Sequence, residues 1–181
     1  DTVTTTDSLD ATNVVFTNIG SISIDSDANQ VATLNLTGAT LNGADITGMA
    51  ANPDLVTTAG GLDASNVVFT NISTITFDNG NAGAQTLNLS GATLNGANIT
   101  SGGAGGLVTT IGPLDASGVT FSNISTISID TDNSAPSSMT LDASTVLNGA
   151  TIVGSTTVND DIVLSAGGTY DFSGNTLTNI N

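Results

Sequence analysis

The chain repeats itself with a period of about 52 residues, and this feature restricts its possible folds more than any other. A segment of the type LDASNVVFTNISTITFD occurs three times, and its copies begin 53 and 52 residues apart. Each copy is followed by a second segment of the type TLNLSGATLNGANIT. A period of this length is typical of solenoids, propellers and other arrays in which neighbouring units share one core. The first segments begin at Leu9, Leu62 and Leu114, and the second segments begin at Thr33, Thr86 and Thr140.

The residue types in these units favour β-structure. The charged helix formers Glu, Lys and Arg are absent, and Gln occurs only at Gln30 and Gln85, whereas Thr, Ser, Asn, Val and Ile dominate. β-Branched residues favour strands, and Asn, Ser and Gly favour the turns between them. We therefore predict an all-β protein.

The apolar residues follow a finer pattern, with two inward positions in every five residues. This pattern suits a chain that forms a short β-bridge, turns a corner and bridges again, so that the inward residues fill a narrow prism. The stretches ATLNGADITG (39–48) and ATLNGANITS (92–101) resemble the pentapeptide-repeat family. That resemblance implies a right-handed, four-sided β-helix, and we take from it the coil geometry and none of the family's activities. In the first unit the inward positions are Leu34, Leu36, Ala39, Leu41, Ala44 and Ile46.

These patterns together predict one domain over residues 1–181, a right-handed β-solenoid (parallel β-helix) of about seven coils. We place the repeats at approximately 3–55, 56–107 and 108–154, with a degenerate end at 155–181 and two coils in each unit. The alternative is a β-sandwich, because short strands at regular spacing also suit that fold. In the solenoid, stacking of equivalent positions would place Phe16, Phe69 and Phe121 in one internal aromatic ladder.

The residues that are missing exclude several classes of function. The chain carries 16 Asp and no Lys, Arg, His or Cys, so its formal charge is −16. Binding to nucleic acid needs cationic side chains, and most catalysis at neutral pH needs a His, Cys or Lys. We therefore expect no nucleic-acid partner and no enzymatic activity, and no apolar run is long enough for membrane insertion. We expect the one acidic dipeptide, Asp160 and Asp161, to form a solvated turn rather than the carboxylate pair of a polysaccharide-degrading enzyme.

One cluster of oxygen-bearing side chains recurs in each unit, directly after the first segment. Its pattern resembles the opening of a calcium-binding loop, although each cluster lacks the bidentate Glu and the complete ligand spacing. Asx turns that bond their own backbone are the alternative explanation. The only cofactor that the sequence suggests is therefore Ca²⁺. The candidate ligands are Asp25, Asp27 and Asn29; Asp78, Asn79 and Asn81; and Asp130, Asp132 and Asn133.

The ends of the chain carry no recognisable cap, which a monomeric solenoid needs to cover its last coil. Because the chain begins without Met, we interpret it as a mature, processed or excerpted form. The leading hypothesis is a secreted structural subunit that binds itself head to tail in an extracellular filament or surface fibre. The alternative is the β-helical shaft or glycan-binding module of a phage tail fibre or adhesin, with a glycan as partner.

Overall fold

The structure, a computed structural model, describes residues 1–25, 30–80, 83–103, 105–165 and 167–181. Within these ranges the chain is all-β and contains no helix, and its parallel strands stack into a β-solenoid of about seven turns. The predicted fold class is confirmed. The solenoid forms because inward Val, Leu, Ile and Phe side chains alternate with polar residues that lie at the surface and in the corners.

The strands are short, and most contain two to four residues. They are β1 Thr2–Thr4, β2 Leu9–Asp10, β3 Ser21–Ser23, β4 Thr33–Asn35, β5 Asp45–Thr47, β6 Asp54–Thr57, β7 Leu62–Asp63, β8 Phe69–Thr70, β9 Ile72–Phe77, β10 Thr86–Asn88, β11 Asn98–Ser101, β12 Gly106–Thr109, β13 Leu114–Asp115, β14 Phe121–Ser122, β15 Ile124–Ser128, β16 Ser138–Leu141, β17 Thr151–Val153, β18 Asp161–Leu164 and β19 Thr176–Thr178.

Four parallel sheets run along the solenoid. Sheet 1 has the order β1-β3-β5-β8, sheet 2 the order β14-β11-β9-β6-β4-β2, sheet 3 the order β19-β17-β15-β12-β10-β7, and sheet 4 the order β13-β16-β18. Paired residues are separated by between 18 positions, as for Gly106 and Ile124, and 25 positions, as for Leu9 and Leu34. This separation is the length of one turn. A β-sandwich is excluded because every pairing between the described strands is parallel.

Each turn has three sides rather than the four of pentapeptide-repeat coils. Between Ile46 and its partner Phe69, for example, the chain passes through sheet 2 in β6 and sheet 3 in β7 before it returns to sheet 1. Sheet 4 continues the side of sheet 1, because β13 follows a strand of sheet 3 and precedes one of sheet 2, as β8 does.

The 52-residue unit covers about two and one third turns, so the period of the sequence differs from the period of the coil. The equivalent strands that begin the first segments, β2, β7 and β13, therefore lie in sheets 2, 3 and 4. Each unit is rotated onto the next side of the prism relative to the unit before it. The remaining third of a turn was not apparent from the repeat length, which suggested two whole coils.

This rotation makes the predicted aromatic ladder wrong. Phe69 belongs to β8 in sheet 1 and pairs with Ile46, whereas Phe121 belongs to β14 in sheet 2 and pairs with Ile99. Phe16 lies beside the bridge between Val15 and Thr40. All three rings are nevertheless buried in the core, so their inward orientation is confirmed. The three Phe side chains are distributed over three sides and do not stack on one another.

Repeated Asn-Gly corners connect one turn to the turn before it. Asn42 and Gly43 both adopt positive φ, 50° and 76°, a conformation that Asn and Gly accept more readily than other residues. The Asn42 side-chain amide donates a hydrogen bond to the backbone carbonyl of Phe16 in the preceding turn, at 2.8 Å. Asn95 and Asn148 make the same bond to Phe69 and Phe121, at 2.8 and 2.7 Å. The sequence motif thus serves as a corner and as a link between turns.

Candidate functional sites

The inward apolar side chains stack from turn to turn in columns along each sheet. At the carboxyl-terminal end of the solenoid, the last members of these columns are exposed. In sheet 3, Ile127 and Ile152 are fully buried, but the next residue in the same column, Leu177, is 46% exposed. In sheet 4 the column continues from buried Leu141 to Leu164, which is 48% exposed. These side chains point along the inward columns and lack a following turn to cover them.

The amino-terminal end shows the same pattern. Val3 pairs with Ile22 at the start of sheet 1, and Leu9 pairs with Leu34 at the start of sheet 2. Ile22 and Leu34 are fully buried, whereas Val3 and Leu9 are only half-buried. The strands at both ends also have a strand neighbour on one side only, since β1, β2, β18 and β19 lie at the edges of their sheets. Each end therefore combines an apolar centre with unpaired strand edges.

The three Asp residues that begin the acidic loops do not line up along the axis. Asp25 follows a strand of sheet 1, Asp78 a strand of sheet 2 and Asp130 a strand of sheet 3. They lie on three different sides of the prism because of the rotation between units. The three Asp residues share a buried position and a left-handed backbone, with φ of 52°, 57° and 56°.

The candidate calcium ligands are only partly brought together. Asp27, Asn29 and Asn81 lie outside the described residues. In the parts of the chain that the structure describes, no group of three or more His, Cys, Asp or Glu side chains is arranged to hold a metal ion. Asn79 lies at the second corner, where its backbone amide donates to the carbonyl of Thr58 at 3.1 Å. The calcium hypothesis therefore depends on which oxygens in each corner still lack a partner.

The third corner contains a buried carboxylate that is poorly supplied with hydrogen-bond donors. Asp130 is 1% exposed, and neither of its carboxylate oxygens has a hydrogen-bond partner. Burial raises the pKa of Asp130, and the neighbouring Asp132 and Asp160 raise it further. The pKa of Asp132 is lowered, chiefly by the hydroxyl of Ser134, which donates to its Oδ1 at 2.9 Å. Asn133 is already engaged, because its Oδ1 accepts a hydrogen bond from the Ser155 hydroxyl at 2.7 Å.

Asp160 is not the solvated turn residue that we predicted. It is fully buried, and its two oxygens accept hydrogen bonds from the backbone amides of Ser137 at 2.7 Å and Ser155 at 2.5 Å. Asp161, the next residue, is exposed at the start of β18. The Asp160 side chain thus lies in the interior and that of Asp161 at the surface. Through its two hydrogen bonds, Asp160 connects its own backbone to the backbone at Ser137 and Ser155.

Asp54 plays the same part in the first unit, although the sequence did not single it out. Its Oδ1 accepts from the amide of Ala32 at 2.7 Å and its Oδ2 from the amide of Met49 at 2.9 Å. Asp54 and Asp160 are 106 positions apart, which is two repeat lengths. That spacing was a usable signal, but the different residues on either side of them, in PDL (53–55) and NDD (159–161), concealed it.

A groove of about 360 Å³ lies near the carboxyl-terminal end, between the side chains of Tyr170, Phe172 and Asp142. Aromatic rings beside carboxylates are a common lining for ligand sites. The polar groups here already have partners within the chain, however. Asp142 Oδ1 accepts from the amides of Gly118 and Ser144, at 3.0 Å each, and the hydrogen bonds around it lower the pKa of Asp142 to about 2. The groove is therefore a consequence of the turn geometry.

Comparison of the chain with protein-family models, curated proteins and solved structures gives no match. The residues that the structure describes also include no helix with the length and apolar character needed to cross a membrane. The features of the chain that bear on function are therefore the geometry of the solenoid, its open ends and its acidic corners.

Proposed function

We propose that this chain is a structural subunit that stacks head to tail with copies of itself to form an extracellular filament. The observation that carries the proposal is the exposure of the core columns at both ends, of which Leu177 is the best example. Inside the solenoid the same column is fully buried. A second copy placed on the end would cover Leu177 and Leu164, and it would have its own Val3 and Leu9 covered in the same contact. Apolar burial of this kind drives association.

The two ends are also related in a way that suits continuous stacking. Ile180 forms a bridge with Asp160 on the side of the prism that sheets 1 and 4 share. The strand β1 lies on that same side at the opposite end. The coil could thus continue from one copy into the next with parallel pairing on every side. A contact between two different ends does not close on itself, so repetition gives a filament.

The composition is compatible with such a role outside the cell. The chain offers no Lys or Arg for trypsin-like proteases to cleave, and it has no thiol that an oxidising environment could modify. With 16 Asp and no basic side chain, neighbouring subunits repel one another, so apolar burial and strand pairing must supply the attraction. We expect assembly to be favoured by salt, which screens this repulsion.

Negative-stain microscopy of the 181-residue chain tests the proposal directly. If about seven turns stack at the spacing of parallel strands, each subunit should advance the filament by about 33 Å. The variant Leu177→Asp should raise the concentration needed for assembly by at least about 100-fold, because it places a charge in the apolar contact. The matched control is Ile111→Asp, since Ile111 is 50% exposed but lies on the lateral surface.

Two results would contradict the filament. The first is a chain that stays monomeric at high salt and tens of micromolar concentration. The second is equal assembly of the two Asp variants, which would show that the ends are not the contact surface. Discrete trimers would instead favour the shaft of a phage tail fibre or adhesin.

A further inference from the structure

We propose that the corner after β15 binds one hard divalent cation, most suitably Ca²⁺, between the carboxylates of Asp130 and Asp132. This inference concerns a site within one subunit and does not depend on filament formation. It concerns the third of the three candidate loops, in which a buried Asp and a second acidic side chain of the loop both lie within the described residues, and it rests on the burial and the missing partners of Asp130.

The buried Asp130 carboxylate needs a compensating positive charge. A buried carboxylate is stable only if it is hydrogen-bonded, paired with a cation or protonated. Both oxygens of Asp130 are buried without a hydrogen-bond partner, and the described chain contains no basic side chain that could approach them. The compensating positive charge must therefore come from solution, either as a cation or as a proton.

Asp130 has two acidic neighbours. Its side chain is in contact with that of Asp132, and the charge of Asp160 lies close enough to act on it. Two ionised carboxylates in contact repel each other, so either a proton on one of them or a cation between them must offset their charge. Asp160 already accepts two backbone hydrogen bonds and adds negative potential rather than a free ligand.

In the second corner, Asp78 occupies the equivalent buried position. There the Ser101 hydroxyl donates to Asp78 Oδ2 at 3.5 Å, which satisfies one of the two oxygens. The position equivalent to Asp132 is Gly80, and the position equivalent to Asp160 is Gly106. The second corner therefore has one acidic side chain where the third has three, and it lacks the pair that would hold a cation.

The chemistry of the third corner suits Ca²⁺ better than a softer metal. All its side-chain ligands are oxygens, and Ca²⁺ accepts carboxylates together with waters in an irregular shell of six to eight oxygens. Asp132 is exposed, so water can reach the outer side of the ion. With only two carboxylates in direct contact, we expect a dissociation constant of about 0.1–1 mM, as in weak extracellular modules.

Isothermal titration calorimetry with CaCl₂ at pH 7 and constant ionic strength tests the site. We expect one ion per chain, and a Ca²⁺-dependent rise in the melting temperature measured by circular dichroism. Asp130→Asn should abolish both effects, and Asn also accepts the left-handed backbone of this position. Because Asp132 is exposed, Asp132→Asn should leave the fold intact while weakening Ca²⁺ binding at least tenfold. Asp78→Asn is the matched control and should bind Ca²⁺ like the wild type.

Three outcomes would overturn the proposal. If Ca²⁺ up to about 10 mM neither binds nor stabilises the chain, the corner is neutralised by a proton instead. Binding that is unchanged in Asp130→Asn and Asp132→Asn would place the ion elsewhere. A stoichiometry of three, with one ion lost in Asp78→Asn, would show that all three corners bind and that the pair of carboxylates is not required.

Discussion

The corners of the second and third units have the same backbone course but fill their interiors differently. In the third unit, Asp160 reaches inward beneath Gly154 and bonds two backbone amides. In the second unit, the equivalent position is Gly106, and the ring of Phe77 and the side chain of Ser101 lie where a side chain of residue 106 would extend. The first unit agrees with the third. The equivalent sets are Ile24, Gly48 and Asp54; Phe77, Ser101 and Gly106; and Ile129, Gly154 and Asp160.

The three equivalent positions in each unit therefore vary together, because their side chains fill one shared volume. A large ring and a hydroxymethyl group replace a smaller Ile and a hydrogen-bonding Asp, and the corner stays packed in both cases. The core of a solenoid accepts such exchanges when the total volume is kept and every buried polar group has a partner. A corner with either complete set of side chains should therefore be stable, whereas a corner that combines members of both sets should be destabilised.

Combining side chains from the two packing arrangements in one corner should produce the largest loss of stability. Gly106→Asp places a carboxylate against Phe77 and Ser101, so we expect a loss of about 4 kcal/mol in the free energy of unfolding from overpacking and a buried charge. Adding Phe77→Ile and Ser101→Gly clears the space and should bring the stability back to within about 1.5 kcal/mol of wild type. Urea unfolding followed by circular dichroism measures both variants.

The coupling of these positions would be disproved by two results. One is a Gly106→Asp variant as stable as the wild type, because the side chain must then point away from Phe77. The other is a triple variant no more stable than the single one, which would mean that the volumes are not shared. The double variant Phe77→Ile with Ser101→Gly serves as the control, since it leaves a cavity and should also be destabilised.

Removing the buried carboxylate of Asp160 from the third unit should cause the next largest loss of stability. Asp160→Ala leaves the amides of Ser137 and Ser155 buried without an acceptor, so we expect a loss of about 3 kcal/mol. Asp54→Ala should cost a similar amount in the first unit, because Asp54 accepts the same two kinds of hydrogen bond. Unfolding in urea gives both values, with the exposed Asp161→Ala as the control. A loss below about 1 kcal/mol for Asp160→Ala would show that water or an alternative bond replaces the carboxylate.

The fold was predictable from the sequence because repetition and the inward pattern act in the same direction. The Asn42 corner, for example, combines a residue that accepts positive φ with an amide that reaches the previous turn, and the chain repeats it three times. The positions of the Phe side chains around the prism were not predictable in this way. They depend on the length of a turn, which varies from 18 to 25 residues with the insertions in each corner.

The candidate sites were harder to predict from the sequence than the fold was. The local pattern D-x-D-x-N identified Asp130 and Asp132, but burial and missing partners, which single out the third corner, appear only in three dimensions. Asp160 was misjudged because a polar dipeptide usually indicates a solvated turn. Its burial depends on Gly154, six residues earlier, where the missing side chain leaves space for the carboxylate.

The smallest predicted effect is on the pH dependence of stability, at a position that holds Asp142 in the third unit and Asn88 in the second. Asn88 donates its side-chain amide to Asp63 Oδ1 at 3.1 Å, whereas Asp142 only accepts hydrogen bonds. Those bonds lower the pKa of Asp142 to about 2, below its ordinary value of 3.8. Because the folded state holds the ionised form, this contribution to stability is present above about pH 4 and is lost as the pH falls through 2.

Asp142→Asn should therefore flatten the dependence of the melting temperature on pH between about 4 and 2 without a large change at pH 7, where the new amide can act as Asn88 does. Melting curves across this pH range, with the exposed Asp161→Asn as control, measure the difference. An unchanged pH profile in Asp142→Asn would mean that Asp142 has the same pKa folded and unfolded, and that the hydrogen bonds from Gly118, Ser144 and Thr145 do not distinguish its two protonation states.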